Sequence, residues 1–486
     1  MRIRTPPDAM PINERSSQME QIDAIIRQID DIVWGIPLIV LILTCGIILT
    51  IRTRFLQVRK IGKGFKYMLR DDNSGKGDVS SFAALCTALS ATVGTGNIVG
   101  VATAVSTGGA GALFWMEVAA LFGMATKYSE GLLAIKYRTT DRNGKILGGP
   151  FYYIENGMGR KWRWLGKIFA FFGVFVGLMG IGTFTQINGI TSAVKGFFDP
   201  NSENTVNIFG NDYSVCVIIA GIIITFLAAL VLIGGLKRIS RFAEIVVPAM
   251  ISLYVLCCVI ILVTHVTQIP AAVVEIFESA FGLRPIAGGA AGIAIVMLSA
   301  QKGIARGIFS NEAGLGSAPI AASAAKTNEP VRQGLVSMMG TFIDTIIVCT
   351  MTGLTIIISG SHTKGLSGVD ITVDAFDNGL PFPREVASFI LMICLAVFAF
   401  TTILGWNYYS ERCLTYLFGY HKWLSTAFRW IYIGAVFIGP FLTVDAVWNI
   451  ADIFNGLMAL PNITALLALS GVVKRETKEY FARTGD

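Results

Sequence analysis

The sequence predicts an all-α polytopic membrane protein with about eleven transmembrane helices. Of its 486 residues, 53% are hydrophobic and only 15% are charged, below the ~25% charged residues typical of soluble domains, and the mean hydropathy is +0.63. A helix needs roughly 20 apolar residues to cross a bilayer. A β-barrel is not favoured, because no alternation of apolar and polar residues recurs along the chain. The apolar runs lie at 33–51, 82–106, 112–135, 166–194, 214–235, 242–264, 287–309, 333–358, 386–410, 426–442 and 446–472.

Basic residues alternate between successive connections, which predicts the orientation of the chain. The second connection, 106–111, has none, whereas the first carries Arg52, Arg54, Arg59, Lys60, Lys63, Lys66, Arg70 and Lys76. Since cytoplasmic loops are enriched in Lys and Arg, we expect the N-terminus outside and the C-terminus in the cytoplasm, in the bacterial inner membrane. An odd number of spans agrees with this orientation, because it places the two termini on opposite sides of the membrane. The net charge of +7 then comes mainly from the basic residues of the predicted cytoplasmic connections, and it does not indicate nucleic-acid binding.

A glycine-rich stretch interrupts the second span at mid-depth. It runs from Ser90 to Asn97 and contains Gly94 and Gly96, which permit backbone angles closed to other residues. A transmembrane helix unwinds only where protein, water or ligand satisfies its freed N–H and C=O groups, so such a break indicates a binding site. Oxygen-bearing side chains such as Thr92 suit a hard cation. Close helix packing is the alternative.

A second break is predicted in the seventh span, at Ser299 to Gly303, and Ser299 is a candidate for substrate binding. The two breaks lie five spans apart, as expected for an inverted repeat. The stretches 94–100 and 311–317 are both rich in small residues and give weak support. The predicted segments are a polar extracytoplasmic leader (1–32, not expected to be cleaved), an extra first helix (33–51), two repeats (80–265 and 286–472) and a cytoplasmic tail (473–486).

Other polar groups lie within the apolar runs. Gln186 is in the fourth, and Thr401, Thr402 and Trp406 are in the ninth. Threonine offers a hydroxyl and a carbonyl oxygen to a small cation, although it also bonds to the preceding helical turn. We expect Trp406 to lie inside the hydrocarbon, as a binding or packing residue.

Charged residues at membrane depth have two interpretations. Lys127 and Glu130 are three apart on one helix face, so we expect a structural salt bridge. Asp344 has no neighbour in sequence to pair with; a hydrogen-bonded structural role and a role in coupling both stay open.

The stretch Gly108 to Gly123 closely resembles the signature of the alanine or glycine:cation symporter family, the sodium:alanine symporters. Stretches 92–100, 306–314 and 342–345 resemble the same family, and the resemblance runs from about residue 33 to 475. One departure is Glu117, where the family pattern usually has Trp. The resemblance implies the leucine-transporter type of fold, with one extra helix followed by two inverted five-helix repeats.

The resemblance also implies a set of site residues. Thr95 and Gly96 would hold the substrate carboxylate, Gln186 would bind polar groups, and Trp406 would limit the size of the substrate side chain. Asn97 and Thr92 would contact a cation or the edge of the substrate. A sodium site would be formed by the hydroxyls of Thr401 and Thr402 with the carbonyls of Ser90, Val93 and Phe398, and Thr402 would also adjoin the substrate.

The expected function is therefore sodium-coupled symport of a small neutral amino acid, alanine or glycine, by alternating access. The expected partners are the amino acid, the co-transported sodium ion and the lipid bilayer, with no organic cofactor. A same-fold symporter driven by protons, or carrying another small solute, is the alternative. An enzyme is not expected, because the three histidines lie near span ends and no HExxH or GxSxG motif occurs.

Overall fold

The computed structural model describes residues 24–70, 75–141, 144, 146–208, 211–283, 289–441 and 445–485. The first half of the described chain contains α1 (24–33), α2 (Ile36–Arg52), α3 (Leu56–Arg59), α4 (Ile61–Leu69), α5 (Ser81–Thr92), α6 (Val101–Gly108), α7 (Gly111–Lys136), α8 (Pro150–Gly157), α9 (Arg163–Met179), α10 (Phe184–Phe198), α11 (Val215–Leu232) and α12 (Gly235–Thr264). The second half contains α13 (Ile269–Phe281), α14 (Gly289–Asn311), α15 (Ala318–Ala322), α16 (Pro330–Thr341), α17 (Thr350–Ile358), α18 (Asp370–Gly379), α19 (Arg384–Phe418), α20 (Lys422–Ile438) and α21 (Asp445–Thr484).

Shorter elements connect these helices. Two π-helical segments, Gly96–Gly100 and Phe342–Cys349, lead into α6 and α17. Two antiparallel hairpins pair β1 (Thr139–Thr140) with β2 (Ile146–Leu147) and β3 (Thr205–Ile208) with β4 (Asn211–Ser214). Single 3₁₀ turns lie at Arg160–Trp162, Val266–Gln268, Ser361–Thr363 and Gly439–Phe441.

The apolar helices confirm a polytopic membrane protein. Within the described ranges, nine helical stretches are long and apolar enough to span a membrane, and the bent pair α5 and α6 brings the number to ten. Helix α7, which has 26 residues, corresponds to the remaining predicted apolar run. It contains four charged side chains, at 117, 127, 130 and 136. The count of eleven spans therefore stays a prediction.

Helix α11 has large apolar side chains on its outward face. Ile219, Ile222 and Phe226 on α11 are each more than half exposed, which suits contact with lipid chains. The polar leader predicted for 1–32 is helical over 24–33, and residues 1–23 lie outside the described part of the chain. The predicted tail does not begin a new segment at 473, because α21 continues to Thr484. The two repeats remain a prediction.

The second span is broken where the sequence predicts. Helix α5 ends at Thr92, and its axis makes an angle of 55° with the helix that resumes at Gly96. The break consists of Val93, Gly94 and Thr95, all buried among neighbouring helices. The unwound backbone therefore lies inside the protein, where other groups can satisfy it.

The break in the seventh span is not at Ser299 to Gly303, as predicted, but at 312–317. Helix α14 is continuous through Gly303, where a Cβ would come within 2.1 Å of the Ala112 carbonyl oxygen. That glycine permits close packing of α14 against α7. The chain turns instead through positive φ angles at Glu312 (53°), Gly314 (91°) and Gly316 (84°), a conformation for which glycine is suited.

A third interruption, not predicted, divides the fourth span between α9 and α10. The chain leaves helical geometry at Gly180 and resumes at Phe184. A Cβ on Gly182 would lie 2.5 Å from the Trp406 Cβ atom, and one on Gly180 would lie 2.4 Å from the Ala451 Cβ atom. The interruption therefore allows the fourth span to approach the ninth and the eleventh closely.

The chain segments that precede α5 and follow α15 are joined by hydrogen bonds. The Asp78 amide donates to the Ala324 carbonyl, and the Lys326 amide donates to the Val79 carbonyl, both at 2.8 Å. The Arg138 guanidinium, at the end of α7, donates to four carbonyl oxygens at 2.5–2.9 Å, those of Lys76, Ser323, Ala325 and Thr327. One side chain thus holds together the ends of both broken spans.

Candidate functional site

The buried break in the second span is held open by a side-chain bond to its own backbone. The Gly94 amide donates to Asn97 Oδ1 at 2.9 Å, and the Asn97 side chain is fully buried. Helix α5 ends with the Val93 amide bonded to the Leu89 carbonyl at 2.8 Å. Between these points the Gly94 carbonyl accepts from the Asn97 amide at 3.3 Å, so the backbone of the break is satisfied by other groups and not by the regular helical ladder.

Neutral oxygens from helix α19 meet the backbone of the break. Thr402 Oγ1 lies 3.4 Å from the Val93 carbonyl oxygen and 3.1 Å from that of Phe398. Thr401 Oγ1 lies 2.9 Å from the same Phe398 oxygen. Both hydroxyls thus bond to the preceding turn of their own helix, and Thr402 also reaches the Val93 carbonyl. These two hydroxyls and two carbonyls are buried, uncharged oxygens of the kind that suits a small monovalent cation.

Gln186 and Thr402 both border the break at Gly94. The Thr95 amide donates to Gln186 Oε1 at 3.4 Å. A Cβ on Gly94 would lie 2.6 Å from Thr402 Oγ1 and 3.2 Å from Gln186 Oε1. Gly189, one turn after Gln186, packs against the Thr95 methyl group. A Cβ on Gly189 would lie 2.6 Å from that methyl carbon. Only a residue without a side chain fits at position 94 in this arrangement.

The Asp344 carboxylate accepts hydrogen bonds from three side chains next to the break. Its carboxylate accepts from Asn97 Nδ2 at 2.8 Å, from Ser310 Oγ at 2.9 Å and from Thr345 Oγ1 at 2.8 Å. All four side chains are buried. The hydrogen-bonded role is therefore present, and through Asn97 the carboxylate is linked to the Gly94 amide.

Glu312 is a site residue that the sequence analysis did not assign. It lies in the true second break, and its carboxylate accepts from Trp406 Nε1 at 3.1 Å and from the Ser317 hydroxyl. Trp406 is only 1% exposed, which confirms its position inside the protein. An acidic residue within the small-residue stretch 311–317 was the available signal.

The salt bridge predicted between Lys127 and Glu130 is not formed. Glu130 turns toward the second break, where it accepts from Asn462 Nδ2 at 2.7 Å and from the Gly314 amide at 3.2 Å. Lys127 Nζ has no hydrogen-bond partner among the described residues, and it borders a cavity of about 10 Å³ together with Thr92. Spacing on one helix face does not pair these charges, because the acceptor finds closer donors on other elements.

Most of the predicted site residues lie at the first break. They are Val93, Thr95, Gly96, Asn97, Gln186, Phe398, Thr401 and Thr402. Trp406 instead lies beside Gly182 and bonds to Glu312 in the second break. Ser299 packs beside Gly108, at the far end of α6, and does not reach the break. Thr92 Oγ1 is directed to the Leu89 carbonyl at 3.4 Å. The Ser90 hydroxyl bonds to the Thr87 carbonyl at 2.8 Å, and the role expected of the Ser90 carbonyl stays a prediction.

The sequence is similar to known transporters along nearly its whole length. The sequence model described as the sodium:alanine symporter family matches residues 19–486. An uncharacterized transporter of Haemophilus influenzae is 50% identical over 95% of this chain and 97% of its own length. The sodium/alanine symporter AgcS of Methanococcus maripaludis is 43% identical over 94% of this chain and 97% of its own. The probable sodium/glutamine symporter GlnT of Bacillus subtilis is 36% identical over 95% of this chain and 91% of its own.

A solved structure supports the fold. The crystal structure of MhsT in complex with L-phenylalanine superposes with a TM-score of 0.52 at 15% identity, covering 81% of this chain and 89% of the other. At that identity the likeness concerns the fold alone. It confirms the predicted leucine-transporter type of architecture.

Proposed function

The chain belongs to the sodium:alanine symporter family, and from this premise we propose that it couples the uptake of a small neutral amino acid, alanine or glycine, to the entry of sodium. It is an integral multi-pass membrane protein of a transporter family, not an enzyme. One observation carries the proposal: the carbonyls of Val93 and Phe398 and the hydroxyls of Thr401 and Thr402 converge at the break in the second span. Sodium is the co-transported ion in this proposal.

The substrate would lie against the same break. Its carboxylate would accept from the backbone amides of Gly96 and of Thr95, and at Thr95 it would take the place of Gln186 Oε1, the present acceptor. Gln186 supports this assignment, because its Oε1 atom lies beside Gly94 and accepts from the Thr95 amide. A wall formed by the indole of Trp406, fixed by its bond to Glu312, would exclude larger side chains by shape.

Sodium and the amino acid are coupled in this proposal because the same backbone segment binds both. Sodium at the Val93 carbonyl would order the break, and the ordered amides would then bind the amino acid more tightly. Because binding free energies are linked, the amino acid must tighten sodium by the same factor. Alternating access would carry both ligands when the helices around the break open first to one side and then to the other. We place the C-terminus in the cytoplasm, on the distribution of basic residues.

Replacement of the Thr402 hydroxyl tests the sodium site. We expect Thr402→Val to weaken sodium activation of alanine uptake into proteoliposomes by about tenfold to a hundredfold, since a lost bond to a charged group costs about 1.5–3 kcal/mol. The matched control is Thr415→Val, on the same helix, whose hydroxyl bonds only to the Glu411 carbonyl of its own turn among the described residues. Equal effects of the two variants would count against the assignment of Thr402.

The same assay separates sodium coupling from the proton-driven alternative. Alanine should accumulate under an imposed sodium gradient and not under a proton gradient alone. Accumulation under the proton gradient alone would remove sodium from the proposal and direct attention to the buried carboxyls Asp344 and Glu312. Absence of uptake under both gradients would reject alanine, and other small solutes would then be tested.

Shortening of Trp406 tests the limit on substrate size. We expect Trp406→Leu to reduce the preference for alanine over leucine by at least about tenfold, because a single methylene in an apolar pocket is worth about 1–3 kcal/mol. The control is Trp430→Leu, since Trp430 is 58% exposed on the outside of α20. Competition of unlabelled amino acids with labelled alanine measures the preference. An unchanged preference in Trp406→Leu would show that the indole does not limit the pocket.

A further inference from the structure

A basic pocket lies where the end of the first span meets the C-terminal helix. Its volume is about 280 Å³, and it is enclosed by the last residues of α2, by α3 and by the final turns of α21. No carboxylate is among its lining residues. The basic side chains that line it are Arg52, Arg54, Arg59, Lys60, Lys474 and Lys478.

The positive charge of this pocket is not neutralised by the protein. In the part of the chain that the structure describes, none of these six side chains forms an ion pair within 4.0 Å. Of the two neighbouring acids along α21, Glu476 pairs with Lys136 at 2.7 Å, and Glu479 is exposed and does not line the pocket. Lys60 Nζ lies 4.9 Å from the centre of the Phe481 ring. Like charges around a small volume repel one another, so a bound anion would stabilise the arrangement.

Membrane topology does not account for the convergence of these residues. The tendency of Lys and Arg to lie in cytoplasmic loops concerns their number on one side of the membrane. Here, residues from opposite ends of the sequence, 52–60 and 474–482, line one pocket. The backbone is strained at the same place, because Arg54 and Phe55 both have left-handed φ angles, of 57° and 56°. Such strain persists where the surroundings impose it and is common at binding sites.

Apolar side chains beside the pocket face the lipid. Ile51, Phe55 and Val58 are each more than half exposed, and they lie on the same short segment as the basic residues. The following helix, α4, adds Lys63 and Lys66 and packs its other face against α16. The pocket therefore lies at the level where acyl chains meet headgroups, and basic pockets at this level suit anionic headgroups.

We propose that this pocket binds the phosphate of an anionic phospholipid, which would join the first span to the C-terminal helix through Arg52 and Lys478. The ligand chemistry is a phosphate ester. A soluble phosphate could satisfy the charges, but it would make no use of the exposed apolar residues beside them. The lipid is therefore the assigned source. This assignment is independent of the transported solute and of sodium.

Binding to bilayers of defined composition tests the proposal. The full-length protein is placed in nanodiscs of phosphatidylcholine with increasing phosphatidylglycerol, and retained lipids are identified by native mass spectrometry. Near a membrane, each basic residue contributes roughly fivefold in affinity, so Arg52→Gln with Lys478→Gln should weaken phosphatidylglycerol binding about thirtyfold. The matched control, Arg160→Gln with Lys161→Gln, removes the same charge from exposed positions on the same predicted face and should keep the wild-type affinity.

Thermal unfolding provides a second measurement that guards against misfolding. In phosphatidylcholine alone, the double variant should unfold at or slightly above the wild-type temperature, because two mutually repelling charges are removed, and only the wild type should gain stability from phosphatidylglycerol. If the double variant unfolds early, Lys474→Gln alone is tested in the same way. Equal retention of the two lipids, or equal losses in both double variants, would overturn the proposal. Displacement of the lipid by excess inorganic phosphate, with the same gain in stability, would overturn the lipid assignment in favour of a soluble phosphate ester.

Discussion

Replacement of Gly94 by alanine should abolish sodium-driven uptake almost completely. The added Cβ would lie 2.6 Å from Thr402 Oγ1, an atom assigned to the sodium site, and 3.2 Å from Gln186 Oε1, an atom assigned to the substrate site. Both neighbours would have to move. Since a displacement of about 1 Å in a binding constellation can cost roughly a hundredfold in rate, we expect a fall of about that size in initial alanine uptake.

Gly100 provides the matched control for this substitution. It lies six residues further along the same broken span, and a Cβ there would meet no atom within 4 Å. Gly100→Ala should therefore keep wild-type uptake and, by the higher helical propensity of alanine, a slightly higher stability. Elution volume and unfolding temperature establish that both variants are folded. Full activity of folded Gly94→Ala would contradict the placement of both ligands at this break.

Loss of the Asp344 carboxylate should have the largest effect on stability. Asp344→Ala would leave the Asn97 amide and the hydroxyls of Ser310 and Thr345 without their buried acceptor. Each unsatisfied buried group costs about 1–3 kcal/mol. We therefore expect the free energy of unfolding to fall by about 3–5 kcal/mol, as measured by denaturant titration in micelles.

Two comparisons make the result for Asp344 interpretable. Asp344→Asn keeps one acceptor oxygen and should lose less stability than the alanine variant. Asp212→Ala removes an exposed carboxylate on β4, bonded to Asn207 at 2.9 Å, and should change stability little, as exposed pairs contribute little. If Asp344→Ala were as stable as the wild type but inactive, Asp344 would act in coupling and not in support of the fold.

The length and apolarity of the runs predict the helices well, because crossing a bilayer imposes both. The first break was predictable for a local reason: Gly94 and Gly96 flank a threonine and precede a buried asparagine. The second break was misplaced because Gln301 and Lys302 are polar residues at mid-span. They instead border a pocket of about 120 Å³ shared with Asp30 and Asp452.

Contacts between distant segments could not be predicted from the sequence. Glu312 accepts a hydrogen bond from Trp406, which lies 94 positions away. Glu130 bonds to Asn462 and not to Lys127, which is one turn away on the same helix. The interruption at 180–183 contains Gly180 and Gly182, which leave room for the Ala451 and Trp406 side chains of distant helices. A single sequence contains the donors and acceptors but not their pairing.

The bonds made by Arg138 also bear on the kinetics of transport. Its guanidinium holds four carbonyl oxygens at once, one before the second span and three after the short helix α15. Any movement that separates these two segments must release the shared bonds together with the backbone pairing of Val79 and Ala325. Partial opening therefore gains little, and the passage on this side of the molecule should open in a cooperative, switch-like manner. In the proposed mechanism, the same bonds would suppress a leak of sodium through half-open states.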